Sequence, residues 1–398
     1  MKKLIGLLAL LAAFPPLSTD MYLAAIPLLV NSWQVPLATV NLTLVGFFVT
    51  YCLFLLIYGP LSDRYGRRPP LLIGLLVYIG ASLLCALATT IEVMIATRVL
   101  QGAGAAAASS IAFAICKDRF DGRLRQRIFV QLGIIVAAAP MIAPVIGGWI
   151  IELSSWRLVF VIQALLGLIA VLGVVRMEES LREPVQESMW RVYRGYWRLI
   201  DNHRFSLLTL VFACLGAPFF AFIAASSDIY ITSLGYTERQ YGYFFGFNAS
   251  AFMLAPFVFS RLVKRFALSH LLLVSYGGML LCSMFLLGDM LPQPFRLAVP
   301  MWLLTFFFAF GRPPSNNLIL EQVEYDVGSA SSLMVFTYFI TGACSMWFIS
   351  LGWADKVTIL GWFGLSSATV TLVGWLLINR FYPLKMPYQE NVQKEVNR

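Results

Sequence analysis

Charge is scarce in this chain. Only 12% of its 398 residues are Asp, Glu, Lys or Arg, against about 25% in an ordinary globular domain. Histidine is nearly missing, with only His203 and His270, both near predicted loop ends. No acids, histidines and nucleophiles cluster at one interface, and no glycine-rich phosphate loop occurs, which argues against a membrane enzyme. The six cysteines (Cys52, Cys85, Cys116, Cys214, Cys282 and Cys344) stand singly in apolar stretches. They show neither metal spacing nor a disulfide framework, and their expected role is that of small buried apolar side chains. No metal and no cofactor is expected.

What the chain has instead is apolar length. Hydrophobic residues make up 59% of it, and the mean hydropathy is +0.78. Twelve segments reach the roughly 20 residues that cross a bilayer. They lie near 4–30, 40–60, 70–90, 92–116, 127–151, 156–176, 205–228, 240–262, 269–290, 297–320, 328–352 and 357–380. The expected fold is therefore all-α, a polytopic membrane protein with a lipid bilayer as its surroundings. With both termini inside, 23 of the 29 basic residues fall in cytoplasmic segments, as the positive-inside rule requires. The net charge of +9 is thus accounted for by topology and needs no nucleic-acid partner. Met1-Lys2-Lys3 and the apolar run behind it have the pattern of a secretory leader. Removing that run would leave eleven spans and conflict with the basic C-terminal tail, so it reads as the first span.

The longest polar stretch separates spans six and seven. It divides the chain into 1–176, a cytoplasmic linker 177–204, and 205–398. Within the linker Trp190, Tyr193, Trp197 and Ile200 recur at helical spacing with Arg191, Arg194 and Arg198 between them. An amphipathic helix lying on the inner leaflet has this pattern, as does a solvated linker helix. Ser18-Thr19-Asp20-Met21-Tyr22-Leu23 in the first span is echoed by Ser226-Ser227-Asp228-Ile229-Tyr230-Ile231 in the seventh. The echo falls where a duplication of six-helix halves would place it.

Between spans two and three the chain reads Gly59-Pro-Leu-Ser-Asp63-Arg64-Tyr-Gly66-Arg67-Arg68-Pro69. The arginines anchor this segment inside, the glycines permit a tight turn, and Asp63 supplies a charge that can be paired or released. Together with Arg98-Val-Leu-Gln101-Gly102 in span four, this segment gives the chain a family likeness. It resembles the major facilitator superfamily and, within it, the Bcr/CflA family of drug:proton antiporters. Further points of resemblance are Asp20-Met21-Tyr22-Leu23, Pro140, Pro144, Gly147 and Gly148 in span five, Trp156-Arg157-x-x-Phe160, and Gly328-Ser329-Ala330-Ser331. The span-five motif is matched in part, because Ala139 and Ala143 stand where glycine is often found. The resemblance implies two six-helix bundles, a bacterial inner-membrane location and a monomer. It implies alternating access driven by a proton gradient, with drug and protons as the partners.

Particular residues follow from it. Asp20 and Arg98 are the intramembrane charges of the first half, roughly 15 and 9 Å deep at 1.5 Å per residue. Burial favours proton uptake by a carboxylate, and pairing with a cation opposes it, so an Asp20–Arg98 pair that opens and closes would be a proton switch. Tyr22, Phe48, Tyr51, Gln101, Phe219, Phe222, Asp228, Phe247 and Arg312 are candidates for the substrate cavity. Asp228 and Arg312 are charges that the family resemblance does not lead one to expect at those places. Arg312 has three candidate roles: meeting substrate, pairing with Glu321, or reaching the inner interface. Gly59, Asp63, Arg64, Gly66, Arg67, Arg68 and Arg119 form the expected gate, with Asp63 either paired to Arg119 or facing the N-terminus of span eleven. The alternative reading is a transporter of the same fold moving a sugar, amino acid or siderophore by symport or facilitated diffusion.

Overall fold

The computed structural model describes residues 2–181, 189–288, 290–323 and 327–382. Among them the regular structure is helical throughout. The α-helices are α1 (Lys2–Asp20), α2 (Ile26–Trp33), α3 (Leu37–Tyr65), α4 (Arg68–Leu87), α5 (Ile91–Arg119), α6 (Gly122–Leu153), α7 (Trp156–Val175), α8 (Met189–Asp201), α9 (His203–Ala213), α10 (Ala217–Ser227), α11 (Glu238–Leu262), α12 (Leu268–Leu287), α13 (Phe295–Leu320), α14 (Val327–Ile349) and α15 (Lys356–Phe381). Two short 3₁₀ turns, Leu23–Ala25 and Cys214–Gly216, join pieces of longer rods, and a π-helix, Asp228–Ser233, ends the seventh of them. Twelve of the resulting rods are long and apolar enough to cross a membrane, matching the spans expected from hydropathy.

Helix starts are written locally. Thr90, Ser155, Asn202 and Asp355 accept hydrogen bonds from N–H groups in the first turns of α5, α7, α9 and α15. Such side chains satisfy donors that have no partner inside the helix. Leucine, isoleucine and valine side chains such as Leu76, Val130, Ile134, Leu281 and Val370 stay exposed. In water these would be a liability, whereas in a bilayer they are the solvent-matched surface.

The chain forms two compact units. The first holds Met1–Arg191 with Ile223–Phe247 and Met346–Gly352, and the second holds Val192–Phe222, Asn248–Ser345 and Trp353–Arg398. In the first, α5 packs on α3, α4 and α1, while α1 also lies on α6 and α4 on α7. In the second, α12 packs on α13 and α15, and α9 packs on α15 and α13.

Two details depart from the sequence reading. Cys344 is exposed and Cys214 half-buried, so only four of the six cysteines are enclosed. In the linker, α8 is present, and Trp197 and Ile200 are exposed on it. The side chains of Trp190, Arg191 and Tyr193 lie outside the described residues.

Candidate functional site

The first span is not one helix. α1 ends at Asp20, the chain turns through Met21 and Tyr22, and the Tyr22 N–H goes to the carbonyl of Thr19 at 3.2 Å. Carbonyls at this break are taken up by side chains from elsewhere. Arg98 Nη1 donates to Ser18 O at 3.0 Å, and Gln163 Nε2 donates to Leu17 O at 3.1 Å. Gln101 sits between them. Its Oε1 accepts from Arg98 Nη1, and its Nε2 donates to Gln163 Oε1 and Ser82 Oγ, both at 2.8 Å. Ser18 Oγ closes the network against the Tyr78 hydroxyl at 2.7 Å.

Arg98 is fully buried. The rings of Phe47, Tyr22 and Phe160 lie 4.6, 4.9 and 5.8 Å from its guanidinium. These faces attract a desolvated cation. Its Nε and Nη2 nevertheless have no hydrogen-bond acceptor.

Asp20 is 5% exposed, and its Oδ1 accepts from Thr19 Oγ1 at 2.8 Å. The expected pair with Arg98 is not formed. Arg98 instead donates through Nη1 to Ser18 O and Gln101 Oε1. Asp20 is therefore a buried carboxylate at a helix end, with no described cation within 4 Å.

The seventh span breaks too, at Cys214–Gly216, just before Pro218 in α10. Proline has no N–H to offer the carbonyl four residues back, which here is Cys214. Ser367 Oγ from α15 donates to that carbonyl at 2.7 Å, and Thr371 Oγ1 donates to Val211 O at 3.2 Å. The echo of Ser18–Leu23 at Ser226–Ile231 does not mark this break. Asp228 is half-buried at the start of the π-helix, nearer the end of its rod than Asp20 is.

At the α3–α4 junction the turn is shorter than the sequence motif. Gly59 is inside α3 with open space around it, and only Gly66 and Arg67 are non-helical. Gly66 has φ +89°, a conformation that favours glycine. Arg67 Nε donates to Asp118 Oδ2 at 2.7 Å, and its Nη1 donates to Ser62 Oγ at 2.8 Å and Asp63 Oδ1 at 2.5 Å. It thereby joins the ends of α3 and α5. Burial disfavours the charged guanidinium, but the two carboxylates outweigh it and hold Arg67 above its ordinary value.

Asp63 accordingly pairs with Arg67, not Arg119. Arg119 donates to the carbonyls of Glu178 and Glu179 at 2.8 and 3.2 Å. Glu179 in turn caps the start of α4. It accepts from the N–H groups of Arg67 (2.9 Å), Arg68 (3.0 Å), Ser180 (2.8 Å) and Leu181 (3.0 Å). Partial burial opposes its ionisation, but these donors win and keep its carboxyl below the usual range. Arg68 reaches Val175 O, and Arg64 lies over Tyr65.

Pro140 and Pro144 do not break α6, which runs unbroken from Gly122 to Leu153. The glycines after them serve close approach. A Cβ on Gly147 would strike the backbone of Met21, and one on Gly148 would strike that of Glu238. α6 is thus held against the helix 1 break and the start of α11 within the first unit.

The aromatic candidates separate. Tyr22 and Phe222 are fully buried; Phe48 and Tyr51 are 6 and 7% exposed, and Phe247 is 48% exposed. The Tyr22 hydroxyl bonds Thr43 at 3.1 Å, and that of Tyr51 bonds Ser109 at 3.0 Å. In the second unit Phe219 packs on Phe252 and Phe308 at 5.1 and 5.7 Å between ring centroids. Arg312 sits in that cluster's neighbourhood, 4.5 Å from the Tyr338 ring and 5.9 Å from Phe252. No carboxylate among the described residues pairs with it, Glu321 included.

Sequence reasoning missed Gln163, Asp118, Glu179 and Asn41. Asn41 is fully buried, with Nδ2 donating to Ser350 Oγ at 2.7 Å and Ala224 O at 2.9 Å. Gln163 and Asn41 are each the lone amide in an apolar span, which is the signal that was there to find. Asp118 and Glu179 had no comparable signal.

A membrane protein with twelve apolar rods, broken first and seventh spans and a charged α3–α4 junction points to the transporter class, and comparison with known proteins agrees. The Major Facilitator Superfamily model matches residues 8–346. The chain belongs to the major facilitator superfamily. Similar relatives include a bicyclomycin resistance protein homolog of Haemophilus influenzae, 28% identical over 84% of this chain and 86% of that one. Another is a chloramphenicol resistance protein of Pseudomonas aeruginosa, 27% identical over 82% of this chain and 77% of that one. Among solved structures, a D-xylose-proton symporter superposes with a TM-score of 0.70 at 15% identity, covering 93% of this chain and 95% of that one. That likeness concerns the fold alone.

Proposed function

We propose that this chain is a proton-coupled antiporter of the bacterial inner membrane, with both termini cytoplasmic, exporting amphipathic drugs as a monomer. The observation that carries the reading is Asp20. It is a carboxylate buried at a helix break inside a span, two residues from the carbonyl that a buried arginine holds and with no described cation within 4 Å. Intramembrane ionisable groups are costly and are kept for pathways and relays. Neutral, protonated Asp20 suits its apolar setting; ionised Asp20 needs water or a new partner. Drug and proton then compete through the conformation that decides Asp20's surroundings. The drug-resistance names of the relatives support the substrate class. The Arg67–Asp63–Asp118 cluster serves as the latch of one gate, with Glu179 holding the linker to it.

The test uses proteoliposomes with an imposed pH gradient and chloramphenicol as the transported drug. Wild-type protein is expected to accumulate drug against its gradient, and Asp20→Asn is expected to lose this. Gradient-driven transport at the full rate by Asp20→Asn would refute the assignment.

A further inference from the structure

The second unit contains a pocket between α9, α13 and α14 with Arg312 in its wall. Phe212, Phe308 and Tyr338 supply aromatic surface, and Thr209 and Asn316 supply polar atoms. No acidic residue among the described residues lines it. Arg312 is half-buried and lies eight residues, about 12 Å of helix rise, before Leu320, the end of α13. Its guanidinium rests on the Tyr338 ring at 4.5 Å and has no acceptor among the described residues. A guanidinium fork left with open donors matches a carboxylate in two parallel hydrogen bonds. A second, independent observation points the same way. Thr209 is 4% exposed, lines the pocket, and its Oγ1 has no hydrogen-bond partner. Buried hydroxyls are normally satisfied, so this one is placed for an acceptor that arrives with a ligand.

We infer that this pocket is a subsite for aromatic carboxylates, with Arg312 clamping the acid group, Thr209 donating to it, and the rings of Phe212, Phe308 and Tyr338 holding the aromatic body. The chain thereby prefers amphipathic anions to cations, since a cationic drug would meet uncompensated positive charge there. This names the substrate class of the exporter proposed above and rests on that reading only for transport; binding is tested separately.

The probes are salicylate and its neutral amide, salicylamide, titrated calorimetrically into the full chain in lipid nanodiscs at neutral pH. Wild-type protein is expected to bind salicylate at least tenfold more tightly than salicylamide. Arg312→Gln is expected to bring the two affinities together while still binding salicylamide, which also shows that the pocket survives. Thr209→Val is expected to weaken salicylate a few-fold and leave salicylamide unchanged. Equal affinities for acid and amide in wild-type protein, or a preference that persists in Arg312→Gln, would overturn the inference. An intact preference in protein whose transport ignores protonophores would refute proton coupling and leave the subsite standing.

Discussion

The first and seventh spans break in the same manner and are repaired in different ways. At the α1 break the carbonyls are met by a buried arginine and a glutamine, Arg98 and Gln163, which Gln101 ties together. At the α9 break two hydroxyls serve instead, Ser367 on Cys214 O, which also accepts from the Ala217 N–H, and Thr371 on Val211 O. A hydroxyl satisfies a carbonyl and adds no net charge. Arginine satisfies the carbonyl and also sets a cation inside the span. The two halves therefore share a scaffold and differ in chemistry. The first half holds a buried carboxylate and a buried arginine. The second half holds aromatic surface and one arginine aimed at a pocket.

Arg98→Met should have the largest effect. It removes the cation and leaves Ser18 O and Gln101 Oε1 without their donor. Leaving those two buried acceptors unpaired typically costs about 1–3 kcal/mol each. Transport is expected to vanish and the thermal midpoint to fall sharply, measured by a thiol-reactive unfolding dye. Gln163→Ala is next, leaving Leu17 O and Gln101 Nε2 short of a partner at about 1–3 kcal/mol. Ser367→Ala at the matching break should cost only about 0.6 kcal/mol, typical of hydrogen bonds inside membrane proteins, and should leave proton coupling intact. If Ser367→Ala uncoupled transport or cost as much stability as Gln163→Ala, the difference between the halves would carry no functional weight.

The smallest effect is a pH dependence at the α3–α4 junction. The Glu179 carboxyl is held below its ordinary 4.5, so its docking contributes fully above that value. The contribution is lost as pH falls through the lower, folded value. Between pH 7 and 5 hydrogen exchange at Arg67 and Arg68, corrected for intrinsic rates, should show unchanged protection. Protection should drop toward pH 3, and Glu179→Gln should already be loose at pH 7.

Much of this was legible in the sequence because bilayer-spanning length and charge placement are local properties. Asp20, Arg98 and Gln101 stood out as polar groups in apolar runs, and the α3–α4 junction stood out by its arginines. What was not legible is who meets whom. Gln163 matters because it reaches Leu17, 146 residues away, and Glu179 because it reaches Arg67, 112 residues away. The expected Asp20–Arg98 pair failed for a related reason. Depth along two helices was readable, but that Arg98 turns to the Ser18 carbonyl and to Gln101 was not. Gly59 illustrates the opposite error, in which a motif residue was assigned to a turn that begins seven positions later at Gly66.

The central claim is that Asp20 gives up its proton when drug binds. The direct measurement is proton release from detergent-solubilised protein on addition of chloramphenicol, read with a pH-sensitive dye in weakly buffered solution. The wild-type protein should release protons in proportion to drug bound, and Asp20→Asn should bind drug with little or no release. Equal release from both proteins would show that the proton comes from elsewhere.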